Sequence, residues 1–126
     1  DVFVLLKTSG GLISLTPIYD FLKQRGATEE REHLWLAGTL VQLIPAYDAL
    51  TEEAVREAVE KTVSQVKTRV MRVEYLIAIA LKTGRAKDYT RIALLMEEAK
   101  VDETRLREIL ACHQLQDRWE KYKLKT

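Results

Sequence analysis

The chain has 126 residues, 31% of them charged and 47% apolar, with a formal net charge of +1 at neutral pH. That length buries one core, and the composition excludes a disordered or membrane-embedded chain. Near-balanced charge excludes nucleic-acid binding by bulk electrostatics and leaves only a local basic patch open.

Asp1-Val-Phe-Val-Leu-Leu6 reads as a strand. Both of its faces are apolar apart from Asp1, as expected of a central strand covered on two sides. A strand at the first residue, with no initiator methionine, predicts that the chain is a piece of a longer one. Thr8 to Gly11 predicts a loop. Thr16 as N-cap, Pro17 at the first helical position and Gly26 past the end delimit a helix whose apolar face carries Ile18, Phe21 and Leu22. Glu29 to Glu32 reads as a solvated turn. The apolar runs His33 to Ala37 and Leu40 to Ile44 flank Gly38-Thr39 and end at Pro45. They predict two strands, or one strand with a bulge. Gln42, on the face of Leu40 and Ile44, needs a hydrogen-bond partner there.

Thr51 predicts the cap of the next helix, with Leu50 stapled on Val55 and Glu52 and Glu53 in the first turn. Thr62, Val63, Val66, Thr68 and Val70 favour a strand pair between Ala58 and Met71. Val73, Leu76, Ile77, Ala80 and Leu81 follow the spacing of a buried helical face, and Gly84 supplies a left-handed terminator. A helix from about Ala86 to Ala99 buries Tyr89, Ile92, Leu95 and Met96. Asp102 caps another, with Val101 and Leu106 spaced as a hydrophobic staple. A last helical segment carries Trp119 and Tyr122. The predicted class is α+β: one domain, with a small mixed β-sheet and flanking helices over residues 1–71 and a helical C-terminal half over 72–126.

Cys112 is the single cysteine, which excludes an internal disulfide and points to a reducing, cytoplasmic compartment. Beside Leu110 on its helix it reads as a half-buried structural thiol. His33 and His113 lack the companion spacing of a zinc site, and His113 reads as topping a core face. No apolar run approaches the ~20 residues of a membrane span. Walker loop, dinucleotide fingerprint and catalytic-triad signatures are absent.

The corner Gly84-Arg85-Ala86-Lys87-Asp88 places two cations where a helix begins, although cations are unfavourable at a helix N-terminus. A phosphate-collecting site explains that order, Lys87 as a point charge and Arg85 as a fork. A solvated turn between helices explains it equally. Asp1 has two readings as well: a carboxylate at a strand edge beside a cleft, or a strand-end residue facing solvent.

The run Arg69-Val-Met-Arg-Val-Glu-Tyr-Leu-Ile-Ala-Ile-Ala-Leu-Lys-Thr-Gly-Arg-Ala-Lys-Asp-Tyr-Thr-Arg-Ile92 resembles the C-terminal segment of small prokaryotic proteins of the nucleotidyltransferase superfamily, in the branch related to abortive-infection toxins. Leu40-Val-Gln-Leu-Ile-Pro-Ala46, Leu50-Thr-Glu-Glu-Ala54 and the tail from Val101 to Trp119 continue the similarity over nearly the whole chain. Gly-Arg-x-Lys-Asp is its most specific part. The resemblance implies an N-terminally truncated protein. Its intact form would transfer a nucleoside monophosphate from a nucleoside triphosphate to a hydroxyl acceptor such as RNA or protein. Asp1 matches the second carboxylate of an Asp-x-Asp pair that holds Mg²⁺. Gln42 stands where a neighbouring strand would bring a third carboxylate. Lys87 would act on phosphates or near the reacting groups, with Arg85, Asp88 and Ser9 as nucleotide contacts. With so few carboxylates, this piece is expected to be inactive alone. Two alternatives follow from the same residues: a non-catalytic nucleotide- or partner-binding module, and a helical module for homodimerisation.

Overall fold

A computed structural model describes residues 1–6 and 13–126 of the chain, so Ser9 and the loop assigned around it lie outside the described residues. The architecture is mixed α+β, as the sequence predicts. The described strands lie within residues 1–71 and residues 72–126 are helical, while by compactness the chain divides into two units, residues 1–47 and 48–126.

The first unit runs β1 (Val2–Val4), α1 (Thr16–Lys23), β2 (Thr28–Glu30), β3 (His33–Leu36), β4 (Thr39–Val41) and β5 (Leu43–Pro45). β2, β3 and β4 form an antiparallel meander, while β1 pairs in parallel with β5. Ala37 (φ 49°) and Gly38 (φ 79°) both take the left-handed conformation that a two-residue hairpin turn requires. The apolar runs are therefore separate strands, and the second of them breaks again at Gln42. Glu29 and Glu30 belong to β2 and not to a turn. Pairing with β3 engages one side of this edge strand, and their exposed carboxylates accept from Lys23 Nζ and Trp35 Nε1, both at 2.6 Å.

Three further expectations shift in this unit. Thr16 is already helical, and the N-cap is Leu15, which makes no side-chain bond. Phe21 turns outward under the Arg25 guanidinium, 3.9 Å from its ring centre, and Tyr19 takes its place beside Ile18 and Leu22. Among the described residues β1 pairs with β5 alone, and Val2 and Leu5 are exposed, so it is not covered on both faces.

The second unit comprises α2 (Ala49–Arg56), β6 (Val59–Val63), β7 (Val66–Val70), α3 (Val73–Thr83), α4 (Ala86–Glu98), α5 (Glu103–Cys112) and α6 (Gln116–Lys125). β6 and β7 form the expected antiparallel pair, turning through Ser64 and Gln65 at positive φ. α3 is the hub. Its Tyr75, Ile77, Ala78, Ala80 and Leu81 meet Leu50 and Ala54 of α2, Ile92 of α4, Leu106, Ile109 and Leu110 of α5, and Trp119 of α6. Each large apolar side chain buried in this way stabilises the unit by about 1.5–3 kcal/mol.

Asp48, not Thr51, caps α2. Its Oδ1 accepts from the Thr51 N–H at 2.8 Å, and Thr51 Oγ1 accepts from the Asp48 N–H at 3.1 Å, a reciprocal capping box. Leu50 accordingly lies inside the helix and in the core. Asp102 caps α5 as expected, accepting from the Arg105 N–H at 3.0 Å, with Val101 half-buried and Leu106 buried. Tyr89 is exposed and not buried. It stacks on Tyr122, which stacks in turn on Trp119, at centroid distances of 6.0 and 5.3 Å.

Candidate functional site

The corner between α3 and α4 is built around one buried carboxylate. Gly84 terminates α3 at φ 68°, where a Cβ would meet the Tyr89 hydroxyl at 3.3 Å. Asp88, 1% exposed, accepts from the Arg85 backbone N–H at 3.1 Å and from Arg85 Nε at 2.7 Å. Arg85 Nη2 adds a contact of 3.2 Å to the other oxygen, and Arg91 lies 3.6 Å from it. The Arg85 guanidinium therefore holds the Asp88 carboxyl below the usual carboxylate range, against the opposing effect of burial. A carboxylate at the third helical position also complements the helix dipole. Arg118 Nη1 closes the other side of the corner by donating to the Lys82 carbonyl at 2.7 Å. Lys87 is exposed, as Arg85 and Ala86 are, and its side chain makes no ion pair or hydrogen bond among the described residues.

Asp1 belongs to the first unit and is exposed. β1 lies on β5 in the register Val2↔Leu43, and the Val2 N–H donates to the Gln42 carbonyl at 2.8 Å. The same register sets Asp1 beside Gln42 at the leading end of the parallel pair. Asp1 and Lys87 belong to different compact units. The oxygens at Asp1 are one carboxylate and the neighbouring amide carbonyl. Mg²⁺ is commonly held by one or two carboxylates, with waters and substrate phosphates completing the octahedron. Such a donor set would leave most positions around a Mg²⁺ ion to water or substrate oxygens.

A third cluster was not legible as a site in the sequence. Glu53 of α2 accepts at Oε2 from the Tyr75 hydroxyl, at 2.7 Å, and lies 3.0 Å from His113 Nε2. Burial pushes Glu53 up, but the bonds from His113 and Tyr75 outweigh it and hold the carboxyl below its ordinary value. Burial and the adjoining carboxylate push the Tyr75 hydroxyl well up. Cys112, next to His113, is exposed and not half-buried. Its position as the last residue of α5 turns it away from the stripe that buries Ile109 and Leu110. The adjacency of Cys112 and His113 was the only signal in the sequence. Glu53, 60 positions earlier, reaches them only because α2 and α5 both pack on α3.

No described helix is long and apolar enough to cross a membrane. Comparisons with family models, with curated proteins and with solved structures return no match for this chain.

Proposed function

We propose that the chain carries part of a nucleotidyltransferase-type core, and that the intact protein transfers a nucleoside monophosphate from a nucleoside triphosphate to a hydroxyl acceptor, RNA or protein. The observation that supports this reading is the parallel register that puts Asp1 beside Gln42. In the superfamily the chain resembles, a carboxylate on one strand faces another on its neighbour at such a position. Here Asp1 would hold Mg²⁺, with Gln42 offering an amide oxygen alongside. The metal would neutralise charge on the leaving pyrophosphate. By the same resemblance Lys87 would act on phosphates, with Arg85 and Asp88 fixing the helix start that carries it. Gln42 in place of a carboxylate lowers the local negative charge and favours nucleotide binding over efficient transfer.

The test is titration of the chain with labelled nucleoside triphosphates, with and without Mg²⁺. Binding should require Mg²⁺, vanish in Asp1→Ala and weaken about tenfold in Lys87→Ala, the loss of one charge-assisted contact. Gln42→Glu should tighten Mg²⁺-dependent binding. Absence of nucleotide binding by the chain, or binding indifferent to both Asp1 and Lys87, would overturn the reading.

One observation favours a second reading. Arg85 spends its guanidinium on Asp88 in a local lock, as an interhelical turn requires. Such a turn serves a partner-binding or homodimerising helical module. Sedimentation at high concentration separates the two, since a monomer that binds nucleotide leaves only the first.

A further inference from the structure

We propose that Glu53, Cys112 and His113 form a binding site for a divalent transition-metal ion of the zinc type, independent of any Mg²⁺ at Asp1. One ligating atom from each lies within 4.8 Å of the other two. Ligand atoms around a tetrahedral zinc ion, with bonds of about 2.0–2.3 Å, stand roughly 3.3–3.8 Å apart. The Glu53 Oε2 to His113 Nε2 distance of 3.0 Å therefore has to open by only a few tenths of an ångström. Cys112 has to close by roughly 1 Å or less, and it is an exposed side chain at a helix end, free to change rotamer.

Two surroundings complete the site. The Tyr75 hydroxyl donates to Glu53 Oε2 at 2.7 Å, a bond that aims the carboxylate as outer partners of metal ligands do. On the open side, a cleft of about 500 Å³ lined by Glu53, Tyr75, Arg105 and Cys112 leaves room for a fourth ligand, water or a small anion. Three protein ligands with one open position is the arrangement of reactive and exchangeable zinc sites, in contrast to closed structural ones. Sulfur and imidazole donors select a zinc-type ion over Mg²⁺.

Binding exchanges protons for metal. The Cys112 thiol gives up its proton to solvent, and the ring proton of a neutral His113 comes to rest on Nδ1, so that the lone pairs of sulfur and Nε2 form the new bonds. Affinity must therefore fall as pH falls.

The experiment is titration of the whole chain with Co²⁺ followed by Zn²⁺ competition. Expected are thiolate-to-cobalt charge-transfer absorption, the intense visible bands of a tetrahedral ion, loss of both on adding Zn²⁺, and no displacement by excess Mg²⁺. Cys112→Ser, whose exposed position protects the fold, should abolish the charge-transfer band and weaken binding about a hundredfold. Tyr75→Phe should weaken it by about tenfold, as loss of an outer partner does. Cobalt binding without the thiolate band, affinity unchanged in Cys112→Ser, or displacement by Mg²⁺ would each overturn the site.

Discussion

The two units are held together by different means. Residues 48–126 enclose a continuous core on α3, and carboxylates serve as joints: half-buried Asp48 caps α2 and takes Lys82 Nζ at 2.7 Å, and buried Asp88 locks the α3–α4 corner. Among the described residues, those of 1–47 bury only Ala27, Leu34 and Leu43 in their cluster, while Val2, Leu5, Phe21, Trp35 and Leu40 are exposed. Their ion pairs, such as Lys23 with Glu29, lie on the surface. The contrast teaches that the second unit has the means to fold by itself. The first, close to the roughly 40 residues below which domains need other support, has little hydrophobic reserve.

The largest effect should come from the hub. Ile77→Ala removes a fully buried side chain from the helix on which four others pack, and should destabilise the second unit by about 3–4 kcal/mol in denaturant unfolding. Leu34→Ala in the first unit should leave that transition where it is. A shared transition that moves with both substitutions would erase the distinction between the units.

Acid sharpens the same contrast. Asp48, Glu53 and Asp88 are all held below the ordinary carboxylate range. For Asp48, burial opposes the shift but is outweighed by the bonds from Lys82 and Thr51. A carboxylate with a depressed folded value contributes stability above its unfolded value, and that stability is lost as pH falls through the folded one. The second unit should therefore lose stability progressively below pH about 4. Circular dichroism at constant ionic strength checks this, and a helical signal flat down to strong acid would contradict it.

Smaller effects test the corner. Asp88→Ala removes the lock at the start of α4 and should cost about 1–2 kcal/mol. Gly84→Ala forces a side chain into the left-handed conformation and against Tyr89, which should cost about 1 kcal/mol or slightly more. Lys23→Ala, an exposed residue of the first unit, should leave both units unchanged in thermal unfolding.

The helices from Val73 onward were legible because their apolar spacing, the glycine terminator and the Asp102 cap agree with one another. The β6–β7 pair was legible through its β-branched residues, and it turns at Ser64 and Gln65 in the left-handed conformation. What misled was local chemistry with a stronger competitor nearby. Thr51 has a cap's side chain, but Asp48, three residues earlier, takes the position and leaves Thr51 the reciprocal role. Glu29 and Glu30 read as solvent-loving, and they are, but a strand exposed on its outer side tolerates such residues once β3 supplies the ladder. Of the candidate site, the Gly84 to Asp88 corner was visible as charge order. That Asp88 would be buried and paired with Arg85 was not, since a charge pattern does not fix which partner a carboxylate chooses. Glu53 with Cys112 and His113 is a tertiary arrangement across 60 positions, beyond the reach of spacing rules.

The most direct measurement of the functional account is Mg²⁺-dependent binding of a labelled nucleoside triphosphate by the chain and by its Asp1→Ala and Lys87→Ala forms, at matched helical content. The account expects binding in the parent, none in Asp1→Ala and about a tenfold loss in Lys87→Ala. Equal binding by all three, or none by the parent, would contradict it.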